Sequence, residues 1–507
     1  MTHDDTPANR VKSIEYTMLF PSVLSAPLLA SSLSTLLSKP GWRKLGARLR
    51  LNASTGRLEY HIPTSYTASY PPINFTQKSY DMNLADHPIG RQFPTVDKDS
   101  EHVQVFDNLN SLRSLTQTQG STVVMEDWIG TDKAQLGLHV VNFKDKTLVT
   151  LCWLHTLLDA MGRRALLEAW TAVLSGREGD VKDFWGWEED PLEKLGMVEE
   201  GNEEREKVAR KEQQVNGWLA WIPNFKPAFN YFYSWLFATD DKTQSGRMIY
   251  MPAAYLTRLR TRALHDLDSL HPSQITFNTA SSPPKPFVSD GDILCAWLTQ
   301  QLVSSSLARL NNSRSLTLIN VLGLRDVLSK ASGAYDVLLP KDKAYIGNAT
   351  MGISSKFSIQ DFLGMPLGHV AARIRKSLIE QGSREAVEKA HRDMKLSKER
   401  VAPKEKNQVQ PAVFVCTNWA KAGLFEIDFG GAVVSGGNDD AESMDRADRG
   451  KPEYIHVYGT DTRGTGTGSE IEGISCVVGR ERKGGYWLAG ILAKEFAANF
   501  EKHVLGA

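Results

Sequence analysis

The sequence predicts an α/β fold of the α+β type, with mixed sheets shared between two domains. Three observations predict it. The chain has 507 residues, more than one hydrophobic core ordinarily serves. Several short runs of strand formers come in hairpin pairs, which favours antiparallel or mixed pairing over an all-parallel sheet. Helical stretches are scattered between those runs, and no internal repeat is visible.

The elements follow in order. TMLFPSVLSAPLLASSLSTLL is apolar but is broken by Pro21 and Pro27 and diluted by serines. It reads as a buried strand or turn followed by a helix near Leu28 to Leu37, stopped at Pro40 and Gly41, and not as a membrane span. LRLNASTGRLEYHIP reads as a hairpin turning at Ser54 to Gly56. QLGLHVVNF and KTLVTLCWL form a second hairpin turning at Lys144 to Lys146, with a helix beginning shortly after His155. A charged tract from Arg177 to about Gln214 offers little core and reads as a solvated crossover. The aromatic stretch GWLAWIPNFKPAFNYFYSWLF then packs between the halves or lines a pocket. The second half opens with a strand and helix in GRMIYMPAAYLTRLRTRAL, then a helix from about Asp290 that Ser289 and Asp290 can cap. TLINVLGLRD, PAVFVCTNW and LFEIDFG read as strands, HVAARIRKSLIEQG and SREAVEKAHRDMKLS as helices. IEGISCVVGR and YWLAGILA form a late hairpin, and AKEFAANFEKHV closes the chain as a helix. The expected division is 1–215 and 216–507.

Composition narrows the function. Lysine plus arginine equals aspartate plus glutamate, for a formal net charge of zero, and there is no long basic run, so a nucleic-acid partner is not expected. The four cysteines are far apart and form no CxxC pair, which argues against structural zinc and a secreted disulfide framework. No His/Asp/Glu cluster has metal-site spacing. The polar, acidic start MTHDDTPANR does not resemble a secretion signal. A cytoplasmic, monomeric protein without stable membrane insertion is expected. The glycine-rich GTDTRGTGTGSE lacks a P-loop lysine and reads as a surface loop.

The segment most suited to chemistry is CWLHTLLDAMG. It puts His155 at the end of a strand, held by a sheet yet free to face a cleft, with Asp159 and Gly162 following. An unperturbed imidazole titrates near pH 6.5, which suits a general base. Alone, the H-x-x-x-D spacing fits a catalytic base or a histidine that merely packs or caps. Cys152 lies three residues from His155 along a strand, so alternation puts the two on opposite faces.

HTLLDAMG resembles the H-x-x-x-D-x-x-G element of the BAHD acyltransferases, in particular those of fungal secondary metabolism. EIDFGGA resembles their late Asp-Phe-Gly-Trp-Gly element: Asp428, Phe429 and Gly430 match, while Gly431 replaces the tryptophan and Ala432 the last glycine. VSDGDILCAWL and YIGNAT, with Tyr345, Gly347 and Asn348, resemble two further family segments in the family's order. The resemblance spans nearly the whole chain. It implies two chloramphenicol acetyltransferase-like domains around a channel that coenzyme A and the acceptor enter from opposite sides. The first domain carries the HxxxD element and the second the DFG-type element.

It implies, further, that acyl-coenzyme A, most simply acetyl-coenzyme A, is a co-substrate and that no cofactor is permanently bound. The acceptor is a small-molecule alcohol or amine. His155 is the implied general base. Asp159 is implied to be structural and paired with an arginine, for which Arg325 is the candidate. Gly162 is implied to let its helix pack closely, and Asp428, Phe429 and Gly430 to support the fold away from the reaction. Attack on a thioester needs an oxyanion donor, and Thr417 and Asn418 are the candidates. The competing readings are a condensation domain, a thioester hydrolase and a non-catalytic ligand-binding protein. The first of these usually carries paired histidines and an Asp-Gly step, which Leu154 before His155 and Ala160 after Asp159 do not provide.

Overall fold

The computed structural model describes residues 12–107, 110–117, 127–197, 244–280, 282–307, 310, 315–333, 335–397, 411–434, 448–461 and 471–506. The expected division at 215/216, the aromatic stretch, the later part of the charged tract (198–214) and most of the glycine-rich loop lie outside the described residues.

Sixteen strands are numbered in chain order among the described residues. They are β1 (Lys12–Phe20), β2 (Arg48–Leu51), β3 (Leu58–His61), β4 (Asn74–Ser79), β5 (Gln104–Asp107), β6 (Gly137–Asn142), β7 (Thr147–Leu154) and β8 (Gln244–Met251). The two-residue strands β9 (Phe277–Asn278) and β10 (Lys285–Pro286) follow. The last six are β11 (Ser315–Gly323), β12 (Thr350–Ser358), β13 (Ala412–Asn418), β14 (Tyr454–Asp461), β15 (Ile471–Arg480) and β16 (Tyr486–Ala493).

Two mixed sheets organise the molecule. One has the order β14-β1-β7-β6-β4 and the other β12-β11-β13-β15-β16-β8-β5. Most neighbours run antiparallel, but β4/β6, β11/β13 and β13/β15 are parallel. Each sheet also takes one strand from the other half of the chain. β14 pairs along β1 from Leu19↔Tyr454 to Lys12↔Asp461, and β5 pairs with β8. The two small hairpins, β2/β3 and β9/β10, stand apart from both sheets.

Period-two alternation sorts the core. On β13, Val413 and Val415 enter the core shared with the first sheet, whereas Ala412, Phe414 and Cys416 enter a second core. β8 divides in the same way: Met248 and Tyr250 face the shared core, and Ile249 and Met251 the second. That second core is closed by the helices Ala253–Asp266, Asp290–Ser305, Leu367–Gln381 and Ala497–Leu505, which contribute residues such as Leu259, Trp297, Val370 and Phe500. The Asp290–Ser305 helix begins with a capping box. The Ser289 hydroxyl accepts from the Asp292 amide, and the Asp292 carboxylate accepts from the Ser289 amide, which satisfies backbone donors that a helix start otherwise leaves bare.

One predicted strand is absent. LFEIDFG alternates buried and exposed residues over Phe425–Phe429 as a strand would, yet it joins no sheet. It forms a 3-10 turn at Leu424–Glu426, and its later bonds go to single partners: the Phe429 amide donates to the Gly450 carbonyl at 2.7 Å. All four cysteines are free thiols; Cys152 is half-buried and the others buried. Among the described residues, no helix is long and apolar enough to cross a membrane.

Candidate active site

His155 follows directly on β7 and keeps its phase. Trp153, two residues earlier, faces the shared core, whereas Cys152 packs with Leu154 in a separate cluster on the other side. His155 is 5% exposed and lines a cavity of about 70 Å³. The wall combines both sheets. Ile14, directly opposite Trp153 in the β1/β7 register, and Val457 on β14 come from the first. Val321 on β11, Thr350 on β12 and Thr417 on β13 come from the second. Thr417 points this way because it shares the phase of Val413 and Val415.

The chain between His155 and the helix Ala160–Leu174 is pinned from the other half. The Asn348 side-chain amide donates to the His155 carbonyl at 2.8 Å. Asp159 caps the helix, its Oδ1 accepting from the Gly162 amide at 2.7 Å. Its Oδ2 accepts from Arg325 Nη1 at 2.9 Å and from the Ala349 amide at 2.9 Å. Arg325 in turn donates Nη2 to the Gly347 carbonyl at 2.7 Å. Burial pushes the Asp159 carboxyl up, but the Arg325 charge and these hydrogen bonds outweigh it and hold the group below its ordinary value. A Cβ on Gly162 would come within 1.9 Å of the Ile346 carbonyl oxygen, so only glycine permits the helix to approach the segment ahead of β12 this closely.

The two oxyanion candidates differ. Thr417 is buried, and its hydroxyl accepts from the Trp419 indole at 3.0 Å, which leaves the hydroxyl proton available as a donor. Asn418 is exposed and its side-chain oxygen accepts from the Ala420 amide at 2.9 Å, a turn-forming bond. Both line the cavity; Asp428, Phe429 and Gly430 do not. Phe429 is fully buried edge-on against Phe20 and Trp170, at 5.3 and 4.9 Å between ring centroids. Asp428 caps the Gly430 amide at 2.7 Å. Through Gly450 this turn anchors the approach to β14.

Arg163 and Trp419 also line the cavity and were missed in the sequence. Arg163 adjoins Gly162 and reads there as the start of a helix, RRALLEAW; Trp419 ends CTNW and carries no polar pattern.

No protein-family model matches the chain. Acetyltransferase adrJ of Penicillium roqueforti is 31% identical over 501 residues, covering 97% of this chain and 92% of that protein. The chain belongs to the BAHD-type coenzyme A-dependent acyltransferases of fungal secondary metabolism. Acetyltransferase sphE of Aspergillus fumigatus is likewise 31% identical, over 99% of this chain and 93% of its own length. Names within the group are not uniform: a Penicillium decumbens protein named transcriptional regulator calD is 30% identical over 99% of this chain and 93% of its own. The crystal structure of Fusarium graminearum TRI101 with coenzyme A and deoxynivalenol shares this BAHD fold. Its TM-score is 0.61 at 14% identity, over 98% of this chain and 95% of that one.

Proposed function

We propose that this protein transfers an acyl group, acetyl in the simplest case, from coenzyme A to a hydroxyl of a small secondary metabolite, with His155 as the general base. One observation carries the reading. His155 lies on a cavity walled by both sheets, with its backbone and the following Asp159 held in place by Asn348 and Arg325.

The chemistry follows. The acceptor oxygen attacks the thioester carbonyl carbon as an imidazole nitrogen of His155 takes its proton. The carbonyl oxygen becomes an oxyanion, for which the Thr417 hydroxyl is the better placed donor. Collapse breaks the C–S bond, and the imidazolium returns its proton to the departing sulfur, giving ester and free coenzyme A. No acyl-enzyme is needed, since holding both reactants at one base supplies a large proximity advantage. Asp159 does not touch the acceptor in this scheme; its two oxygens are occupied by Gly162, Arg325 and Ala349. An amine acceptor would follow the same steps.

The names adrJ and sphE support acetyl transfer. The name calD, together with Gly431 in place of the family tryptophan, favours a second reading as a ligand-binding protein that does no chemistry. Incubating purified protein with acetyl-coenzyme A and an extract of the producing organism separates the two. The expected result is free thiol together with a product one acetyl group heavier than its precursor. Neither appearing, across acyl donors, would leave the second reading.

A further inference from the structure

The proposed acyl transfer leaves one charged group on the cavity wall unused. Arg163 lies in the first turn of the Ala160–Leu174 helix, is 3% exposed and lines the cavity beside His155. Its guanidinium carbon is 4.2 Å from the ring centre of Tyr16 and 4.7 Å from that of Trp419. Nε and Nη2 are sealed from solvent and have no hydrogen-bond partner among the described residues. The carboxylate that lines the cavity among the described residues, Asp159, is already committed to Gly162, Arg325 and Ala349.

Arginine cannot shed its proton to escape this position. Lying over two aromatic rings offsets only part of the cost of burying the charge. The N–H donors lie in its plane and fit a carboxylate in a two-pronged contact. The Asp159 charge acts on Arg163, but a buried cation that no anion hydrogen-bonds remains costly.

We infer that Arg163 anchors a carboxylate carried by one of the two reactants, and so determines specificity in the reaction cavity. The inference rests on the acyl-transfer reading. The carboxylate has two possible sources, the acceptor or a dicarboxylic acyl group, and the test has an arm for each. Calorimetric binding to the full-length protein would compare malonyl-coenzyme A with acetyl-coenzyme A. With coenzyme A present, it would compare 3-hydroxybenzoate with its methyl ester.

In one arm the wild type should prefer the acid by about tenfold or more, as expected for a hydrogen bond to a charged group. R163Q should bind coenzyme A but lose that preference. R163K, which keeps the charge without the fork, should recover part of it. An R163Q protein that discriminates like wild type would overturn the inference, as would a wild type indifferent to the acid in both arms. If R163Q does not fold, R163K and the wild-type acid and ester comparison decide. Failure of the wild type to bind coenzyme A at all would overturn acyl transfer, and this inference with it.

Discussion

The two segments that resemble the BAHD family are held in opposite ways. HTLLDAMG lies on the cavity and is fixed by polar bonds that cross between the halves: Asn348 to His155, Arg325 and Ala349 to Asp159. The IDFGG segment lies away from the cavity; its bonds are local turn and loop bonds, to Asp428 and Gly450, and its side-chain anchor is packing, with Phe429 between Phe20 and Trp170. Polar bonds at fixed distances suit a segment that must aim a base. Gly431 and Ala432 depart from the family's tryptophan and glycine there, and neither lines the cavity. Similarity of two segments to one family therefore does not give them one kind of role.

The comparison can be broken at three places. The largest effect is expected at His155. His155→Ala removes the base and only moderate volume, so turnover should fall by about 10²–10⁴-fold with the melting temperature near that of wild type. Steady-state thiol release on the folded variant measures it, and near-wild-type turnover would remove the basis for the mechanism.

Next is Asp159→Ala, which leaves Arg325 without its buried partner. A loss of about 3 kcal/mol of stability is expected, accompanied by lost activity, in denaturant titrations paired with assays. Lost activity at unchanged stability would instead place Asp159 in the chemistry. The pH dependence adds a sign. The Asp159 carboxyl is held below its ordinary value by Arg325 and hydrogen bonds that outweigh burial. Its stabilisation is therefore full above the unfolded value near 3.9 and fades as pH falls through the lower folded value. That part of the acid limb should be missing in the variant.

The smallest effect is expected from restoring the family tryptophan. A Cβ on Gly431 would lie 2.9 Å from the Leu174 carbonyl oxygen, so Gly431→Trp should overpack the segment and cost about 1–3 kcal/mol. The rate constant of the folded fraction should stay within about twofold, a shift below ~0.5 kcal/mol. A large fall in that rate constant with stability retained would mean that the two segments share a role after all.

What could be read in the sequence was mostly local. The hairpins β2/β3, β6/β7 and β15/β16 were legible because each turn and its flanking strand formers are contiguous. The helix from Asp290 was legible from its cap, whereas those from Ala26 and Leu367 were read from about Leu28 and from His369, short of their true starts. The exchange of β5 and β14 was not legible, because nothing along the chain tells a strand which distant edge it will meet. LFEIDFG misled for a physical reason: its alternation is real, but Phe429 spends its amide on Gly450 and the segment meets no neighbouring strand. At the site, Asp159 and Arg325 were nameable as partners through the family resemblance. Arg163 was hidden in plain helical sequence, and only the fold brings it against Tyr16 and Trp419.

The β1/β14 pairing also bears on how the chain is made. β1 ends at Phe20 and its partner β14 begins only at Tyr454, so the ribosome makes β1 long before that partner. Until then one edge of β1 has no native partner, and an open edge invites pairing with other chains. Contacts so distant in sequence also form slowly, because loop closure must precede them. The first sheet is therefore completed only after β14 has been made. C-terminal truncations ahead of Tyr454 should leave an aggregation-prone N-terminal half, even though most of that half's own residues are present.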